Sequence, residues 1–344
     1  MKLFNLNLQL FADTQLNTQT TLTESLSPEN KIFYDKVLIR EAKANLVHGQ
    51  FGQKKPIPKN GGKTIEFRKF DSLPKALTPI TEGVTPAGNK LSVTAITATI
   101  KQYGDYIVQS DILELTAIDN TIVEATVLLG NQAGLTLDTI DREVLNSGTN
   151  VVYAPKVGAD GKKTEVTSRA SLDKTATLTV DLVKKCATIL KAVNAPKIDG
   201  YYVGIIHPYV AHDIMLDPKW MEVEKYASPE NMLTGEIGKI GGVRFVESTE
   251  AKIFTTEGGA SDCPDGLAVY STLFLGANAY GTTEVEGGGL RTIVKQKGSA
   301  GTADPLDQRS SVGWKATRVT EILLDSHLIR CESCGEFSDV AVAN

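Results

Sequence analysis

The sequence has few cysteines, no long apolar run and no excess of positive charge. Four cysteines in 344 residues are too few for a disulfide scaffold, so we expect free thiols in a reducing compartment. No apolar run approaches the roughly 20 residues that cross a bilayer, so we expect no membrane partner. A net charge of −5 excludes a protein that binds nucleic acid over its whole surface, because phosphate neutralisation requires clustered Lys and Arg.

Motifs for catalysis and nucleotide binding are also missing. The chain has no Gly-x-Ser-x-Gly nucleophile elbow and no recognisable triad. The glycines from Gly235 to Gly242 are not followed by Gly-Lys-Ser/Thr, so they predict a turn before a strand instead of a phosphate cradle. His207-Pro208, at the end of an apolar run, is the one catalytic candidate, and we favour a structural role for it. We therefore predict no enzyme activity, no catalytic residue and no cofactor.

One group near the carboxyl end has metal-like spacing. Cys331 and Cys334 match half of a zinc site, and His327 is within reach of Cys331 only if this stretch is helical. Cys263 would then have to supply a fourth ligand. A disulfide between Cys331 and Cys334, or plain reduced thiols, are the alternatives. Because Val319 to Arg330 has the pattern of a buried strand, we predict no metal site.

The first thirty residues have the pattern of an arm. Phe4, Leu6 and Leu8 alternate with polar residues at period two, which is typical of a strand, and a polar tract with little to bury follows. We predict an arm that orders only against a partner. A frayed terminus is the alternative.

A long hairpin is predicted next. Ile65 and Phe67 alternate with Glu66 and Arg68, and a returning strand runs from Leu91 to Tyr103. The connection is rich in Pro and Gly, so it is extended. A two-stranded ribbon is hard to stabilise alone in water, so we expect it to lie on another surface. A hairpin folded back on its own domain is the alternative.

Helical periodicity is strongest over residues 110–146. Apolar residues recur there at spacings of three and four, and Gly130 and Gly134 lie one turn apart inside the segment. These glycines either allow close packing or break the helix. A second helix from Val180 to Asn194 and an apolar strand at Tyr201–Ile206 then indicate a separate α+β domain.

The segment Asp304–Lys315, Asp-Pro-Leu-Asp-Gln-Arg-Ser-Ser-Val-Gly-Trp-Lys, closely resembles the closing signature of tailed-bacteriophage major capsid proteins typified by phage N-four. Gly235–Ser248 and Tyr201–Pro208 resemble the same family in the same order. These proteins have the fold first seen in phage Hong Kong 97. The resemblance thus implies an α+β capsid fold.

The resemblance also implies a division of the chain. It assigns 1–30 to an N-terminal arm, 31–55 and 107–178 to a peripheral domain with a spine helix at 110–146, and 56–106 to an extended loop over a neighbouring subunit. It assigns 179–290 to an axial domain and 291–344 to the peripheral return strands and tail. Residues expected to have inter-subunit or packing roles are Phe4, Leu6, Leu8, Ile65, Phe67, Arg68, Arg309, Trp314 and Lys315. Gly130 and Gly134 are the candidate hinge.

The implied function is a major capsid protein that self-assembles into hexamers and pentamers of an icosahedral head around double-stranded DNA. It would be assembled in the bacterial cytoplasm and reside in the virion. Expected partners are other copies of the chain, portal, scaffolding and decoration proteins, and local, weak contact with the DNA. A crosslink from Lys63, Lys69 or Lys75 stays open, because no sequence feature selects its partner. An encapsulin-like cargo shell and an α+β hydrolase are the alternatives.

Overall fold

The computed structural model describes residues 36–42, 46–58, 60–70, 73–80, 82–85, 88–116, 121–220, 238–256, 262–264, 266–299, 304–338 and 340–344. The predicted arm lies outside these residues. The described helices are α1 (36–42), α2 (Asp111–Thr116), α3 (Thr121–Asn146), α4 (Val180–Ala192) and α5 (Pro208–Leu216), with 3-10 turns at Arg169–Ser171 and Asp325–His327. The strands are β1 (Gln53–Lys54), β2 (Thr64–Phe70), β3 (Val93–Thr99), β4 (Lys101–Ser110), β5 (Val151–Tyr153), β6 (Lys156–Val157), β7 (Lys163–Thr164), β8 (Tyr202–Ile206), β9 (Lys239–Ile240), β10 (Val243–Glu247), β11 (Ile253–Phe254), β12 (Val269–Leu275), β13 (Tyr280–Thr283), β14 (Arg291–Lys295), β15 (Arg309–Ile322) and β16 (Leu328–Ser333).

A five-stranded sheet is built around the 14-residue strand β15. Its order is β1-β13-β15-β14, and β4 also pairs with β15. One face of this sheet is apolar at every second residue of β15, namely Val312, Trp314 and Ala316. These side chains pack with α1 and with the buried side of α3. The alternating residues of the strand and the residues on one face of the helix thus form one core.

A seven-stranded mixed sheet forms the second layer. Its order is β5-β16-β12-β8-β10-β9, and β11 pairs with β12. β8 and β12 are buried at every residue, and side chains from α4 and α5 belong to the same core. The near-continuous apolar run at Tyr201–Ile206 therefore has the predicted cause, a strand covered on both faces. Helices and sheets of this kind confirm the α+β class.

The hairpin strands β2 and β3 pair over seven residues, from Thr64↔Thr99 to Phe70↔Val93. The predicted return strand, Leu91 to Tyr103, is wrong as one hairpin strand. It divides at Ile100, whose N donates to Lys63 O at 2.9 Å. Beyond this point β4 pairs instead with β15 over ten residues, because β15 offers a long edge and the chain before β2 turns away.

The two sheets take strands from several parts of the predicted division of the chain, and that division stays a prediction. β16, assigned with the peripheral return strands, lies between β5 and β12 in the seven-stranded sheet. β13, assigned to the axial domain, pairs with β15 in the other sheet. The 3-10 turn at Asp325–His327 takes the chain from one sheet to the other. The predicted helix over 110–146 corresponds to α2 and α3, and residues 117–120 lie outside the described residues.

Candidate assembly surfaces

The base of the β2–β3 hairpin packs on its own chain. Ile65 and Phe67 are buried with Ile57 and Ala98, and the end of β15 packs against this cluster. Arg68 points to solvent, and its Nε donates to Glu66 Oε1 at 3.0 Å. The predicted loop residues Ile65 and Phe67 thus fix the root of the hairpin within the subunit.

The distal part of the same hairpin is apolar and exposed. Leu77 and Ile80 are 82% and 77% exposed, and neither belongs to a core cluster of the described residues. Other large apolar side chains exposed in this segment are Leu73, Val84, Leu91 and Val93. Several exposed apolar residues on one protruding segment are typical of an interaction surface.

The segment Asp304–Lys315 contains the first half of β15, which packs against α3. Trp314 is buried, and its Nε1 donates to Gln132 Oε1 at 3.2 Å. Gln132 Nε2 donates in turn to Asp105 Oδ2 at 2.6 Å, which lowers the pKa of this carboxyl. Arg309 N donates to Asp304 Oδ2 at 2.8 Å, and the Arg309 side chain lies largely in solvent. This signature therefore anchors β15 and presents a cation beside it.

Lys315 lies on the opposite face of β15 from Trp314, here called the outer sheet face. Gly313 lies there between Tyr106 of β4 and Ile293 of β14. Both neighbours are exposed, and the missing side chain of Gly313 leaves a groove of about 430 Å³. This surface was not predicted from the sequence, although apolar residues that alternate around Gly313 were the available signal.

Gly130 explains how α1 reaches α3. An added Cβ at this position would lie 2.9 Å from Leu38 O and 3.1 Å from Glu41 Cβ. α3 continues through Gly130 and Gly134, and both glycines are buried. Close packing is therefore the role that Gly130 has in this fold, and the hinge stays a prediction.

We expect Gly130→Ala to lower the free energy of unfolding by about 1–3 kcal/mol, because overpacking against backbone outweighs the gain of about 1 kcal/mol in helix propensity. Chemical denaturation of the isolated subunit measures this change. Glu124→Ala, on the exposed side of α3, is the matched control and should be near neutral. For the hinge, unchanged procapsid and mature particles in both glycine-to-alanine variants would argue against bending at this place.

A family model described as phage capsid protein matches residues 119–300, just over half of the chain. The chain belongs to the phage capsid protein family. A search of curated proteins gave no match.

Solved phage capsids share the fold of this capsid protein. The cyanophage P-SCSP1u capsid is 14% identical over 92% of each chain, with a TM-score of 0.63. The cyanophage Pam1 capsid is 12% identical over 98% of this chain and 100% of that one, also with a TM-score of 0.63. The Ralstonia phage GP4 capsid is 15% identical over 93% and 96%, with a TM-score of 0.60. The predicted Hong Kong 97-type fold is confirmed.

Family membership gives this capsid protein a structural role in the phage head. Capsid proteins associate into capsomers, so the surfaces described above are the candidate functional sites. No helix of the described residues is long and apolar enough to cross a membrane. The predicted arm residues Phe4, Leu6 and Leu8 lie outside the described residues, and their role stays a prediction.

His207, the catalytic candidate, has a structural setting. It precedes α5, and its Nδ1 accepts a hydrogen bond from Tyr209 N at 3.2 Å. Its ring packs beside Tyr209 and Tyr270, at centroid distances of 4.7 and 5.2 Å. Burial lowers the pKa of His207 to about 4. These contacts are those of a helix cap.

The cysteine constellation does not assemble. His327 belongs to a 3-10 turn and Cys331 to β16, so the helical spacing between them is absent. The four cysteines are buried and are not joined in disulfides. Two causes raise the pKa of the Cys331 thiol: mainly a hydrogen bond with Cys186, and secondly burial. Within the described ranges no three His, Cys, Asp or Glu residues are placed to hold a metal ion.

A buried ion cluster was missed by the sequence analysis. Glu332 of β16 is fully buried, and Arg169 donates to both of its carboxylate oxygens at 2.6 and 2.7 Å. Arg330 Nε lies 2.9 Å from Glu332 Oε1, with an orientation that makes an ion pair instead of a hydrogen bond. Two charged residues inside the apolar run Leu328–Cys334 were the available signal, because buried charges require partners.

Proposed function

We propose that this chain is the major capsid protein of a phage and forms the hexamers and pentamers of an icosahedral shell around double-stranded DNA. The observation that carries the proposal is the hairpin, whose root is fixed in the subunit while its apolar distal part is exposed. A neighbouring copy can cover that part, as the extended loop of the family implies. Residues 56–106 are accordingly proposed as this loop.

Many small contacts are the proposed mechanism of shell closure. Each copy offers its hairpin, its arm and the outer sheet face, and each contact alone is of the size seen in weak interfaces. Shell closure combines these contacts. A subunit already held by one neighbour meets the next at a high effective concentration, so the second contact costs little further translational freedom. Weak individual contacts also allow a misplaced subunit to leave.

Further partners follow from this role. Portal, scaffolding and decoration proteins are proposed to bind the shell, which is assembled in the host bacterial cytoplasm. The net charge of −5 restricts contact with the packaged DNA to local, weak sites. Arg309 and Lys315 are proposed inter-subunit residues, and Trp314 a packing residue.

Electron microscopy of the purified protein tests the proposal. We expect closed shells of uniform curvature, with capsomers of six and five copies. A monomer in gel filtration that forms no particles over a range of salt and protein concentrations would overturn it. Particles of one small size that enclose an enzyme instead of DNA would indicate a cargo shell.

We expect the double variant Leu77→Ser/Ile80→Ser to lose particles while the subunit keeps its unfolding midpoint. Both side chains are exposed in the single chain, so their removal costs contact with a neighbour and little folding energy. Gradient sedimentation measures the particle yield, and thermal unfolding measures the subunit. Val157→Ser, in the β6–β7 hairpin, is the control for an exposed apolar residue elsewhere. A normal particle yield from the double variant would contradict the proposed role of the loop.

A further inference from the structure

β4 has one open edge. In the described part of the chain its ten residues pair with β15 alone. On the side away from β15, β2 pairs with β3. The last backbone hydrogen bond of this pairing runs from Ile100 N to Lys63 O. The chain then turns away at Gly62, whose φ is +88°. Among the residues that the structure describes, no strand therefore lies beside β4 in line with β2.

The backbone of even-numbered residues points to this edge. Asp111 N donates to Gln308 O, on the β15 side, and hydrogen-bonding direction alternates along a strand. Gly104, Tyr106 and Val108 thus present N–H and C=O groups away from β15. Tyr106 N agrees with this assignment, because it donates to the adjacent Asp105 Oδ1 at 2.8 Å and not to β15.

The side chains beside the open edge are apolar and exposed. Tyr106 and Val108 are 67% and 50% exposed, and both lie on the outer sheet face next to the groove above Gly313. A ten-residue edge with exposed apolar side chains is a template for an arriving strand. The strand that fits has apolar residues at every second position, so that one row covers Tyr106 and Val108.

One segment of this chain has that pattern and lies outside the described residues. From Phe4 to Leu10 every second residue is Phe or Leu, and the residues between are Asn or Gln. The chain from position 10 to α1 spans up to about 80 Å when extended, enough to reach a neighbouring molecule. α1, the first described helix, packs with α3 on the face of the sheet opposite to Tyr106 and Val108.

We propose that the segment Phe4–Leu10 of a second copy adds to the open edge of β4 as a further strand. Its apolar side chains cover Tyr106 and Val108 on the outer sheet face. The arriving strand replaces the Asp105 oxygen at Tyr106 N with a backbone carbonyl. This inference rests on the proposed self-assembly and names the acceptor surface for the arm.

Site-directed thiol crosslinking in assembled particles tests the proposal. One chain carries Leu6→Cys or Leu8→Cys, a second carries Val108→Cys, and the two are co-assembled. A short bis-maleimide, which spans neighbouring register positions, is added before denaturing electrophoresis. We expect a crosslinked dimer band. The native cysteines of the chain are buried, so they give a low background.

The control replaces Val108→Cys with Leu128→Cys, an exposed position on α3. It should give no dimer. A crosslink that forms only when both cysteines are on the same chain would show that the arm binds its own subunit, and would overturn the proposal. Normal particles with no crosslink at either arm position would do the same while leaving the capsid function intact. Absence of particles from the unmodified chain would instead contradict the proposed function.

Tyr106→Pro, introduced into the chain that carries Val108→Cys, gives a second readout, because Tyr106 N also points away from β15. Proline at this position removes an N–H that points away from β15, so the ladder to β15 is kept while strand addition is blocked. We expect normal subunit folding and loss of the dimer band. Retention of the band in this variant would argue against strand addition.

Discussion

Glu332→Gln is expected to lower the free energy of unfolding of the subunit by about 3–5 kcal/mol, because it leaves buried cations without their partner. In the native chain, Glu332 Oε1 and Oε2 accept from Arg169 at 2.6 and 2.7 Å. Arg330 lies at the same carboxylate, and the Arg169 guanidinium also stacks 3.8 Å above the Phe254 ring. The variant keeps the shape of the side chain and removes its charge.

Denaturant unfolding of dissociated subunits measures this effect, since shell contacts would mask it. Asp262→Asn is the matched control. Asp262 pairs with Arg169 Nη1 at 2.9 Å, but its side chain is 63% exposed. An exposed pair contributes about 0–1 kcal/mol, so this control should change little. Equal effects of the two variants would show that burial of Glu332 does not set the strength of the cluster.

This cluster illustrates what periodicity cannot predict. Arg169 and Glu332 are 163 residues apart in sequence, and nothing local indicates that they meet. Periodicity did predict the elements that depend on nearby residues: α4, the buried strand β8 and the hairpin β2–β3. Each of these is specified by which side chains share a face, and that is a property of neighbours in sequence.

Sheet membership depends on long-range pairing, and there the sequence was less informative. Leu91–Tyr103 has one continuous strand pattern, but Ile100 ends the hairpin because β15 competes for the rest. β16 likewise has the pattern of a buried strand, and only its pairing with β12 and β5 shows which sheet it completes. The open edge of β4 and its groove follow from the same pairing, so this proposed assembly surface could not be predicted before the topology was known.

The role of a single residue could be predicted from the sequence only where its residue type has a particular structural requirement. Gly130 was singled out because glycine is costly in a helix, and the close approach of Leu38 O supplies the reason for it. Trp314 was singled out by resemblance, and its burial over α3 shows a packing contact. The arm could be recognised only as a pattern, because the acceptor of an added strand lies elsewhere in the fold.

Acidification is expected to destabilise the subunit through His207. Burial lowers the pKa of this side chain from the ordinary 6.5 to about 4. Above pH 6.5 His207 is neutral in both states and its contribution is complete. As the pH falls from 6.5 to 4, the unfolded chain binds a proton that the folded chain does not, so stability decreases, by about 3 kcal/mol at most. Below pH 4 both states bind the proton and the loss levels off.

His207→Asn should remove this dependence and keep the fold. Asparagine is a good N-cap, so it can accept the hydrogen bond of Tyr209 N that His207 Nδ1 accepts. Unfolding free energies of both chains, measured from pH 7.5 to pH 4, give a difference that isolates His207 from other groups. That subtraction is necessary because other groups also titrate in this range. Burial raises the pKa of Asp213, so its protonation on acidification stabilises the folded chain, opposite to the effect of His207. Parallel curves for the two chains would mean that His207 has the same pKa in the folded and the unfolded chain, which would contradict the prediction.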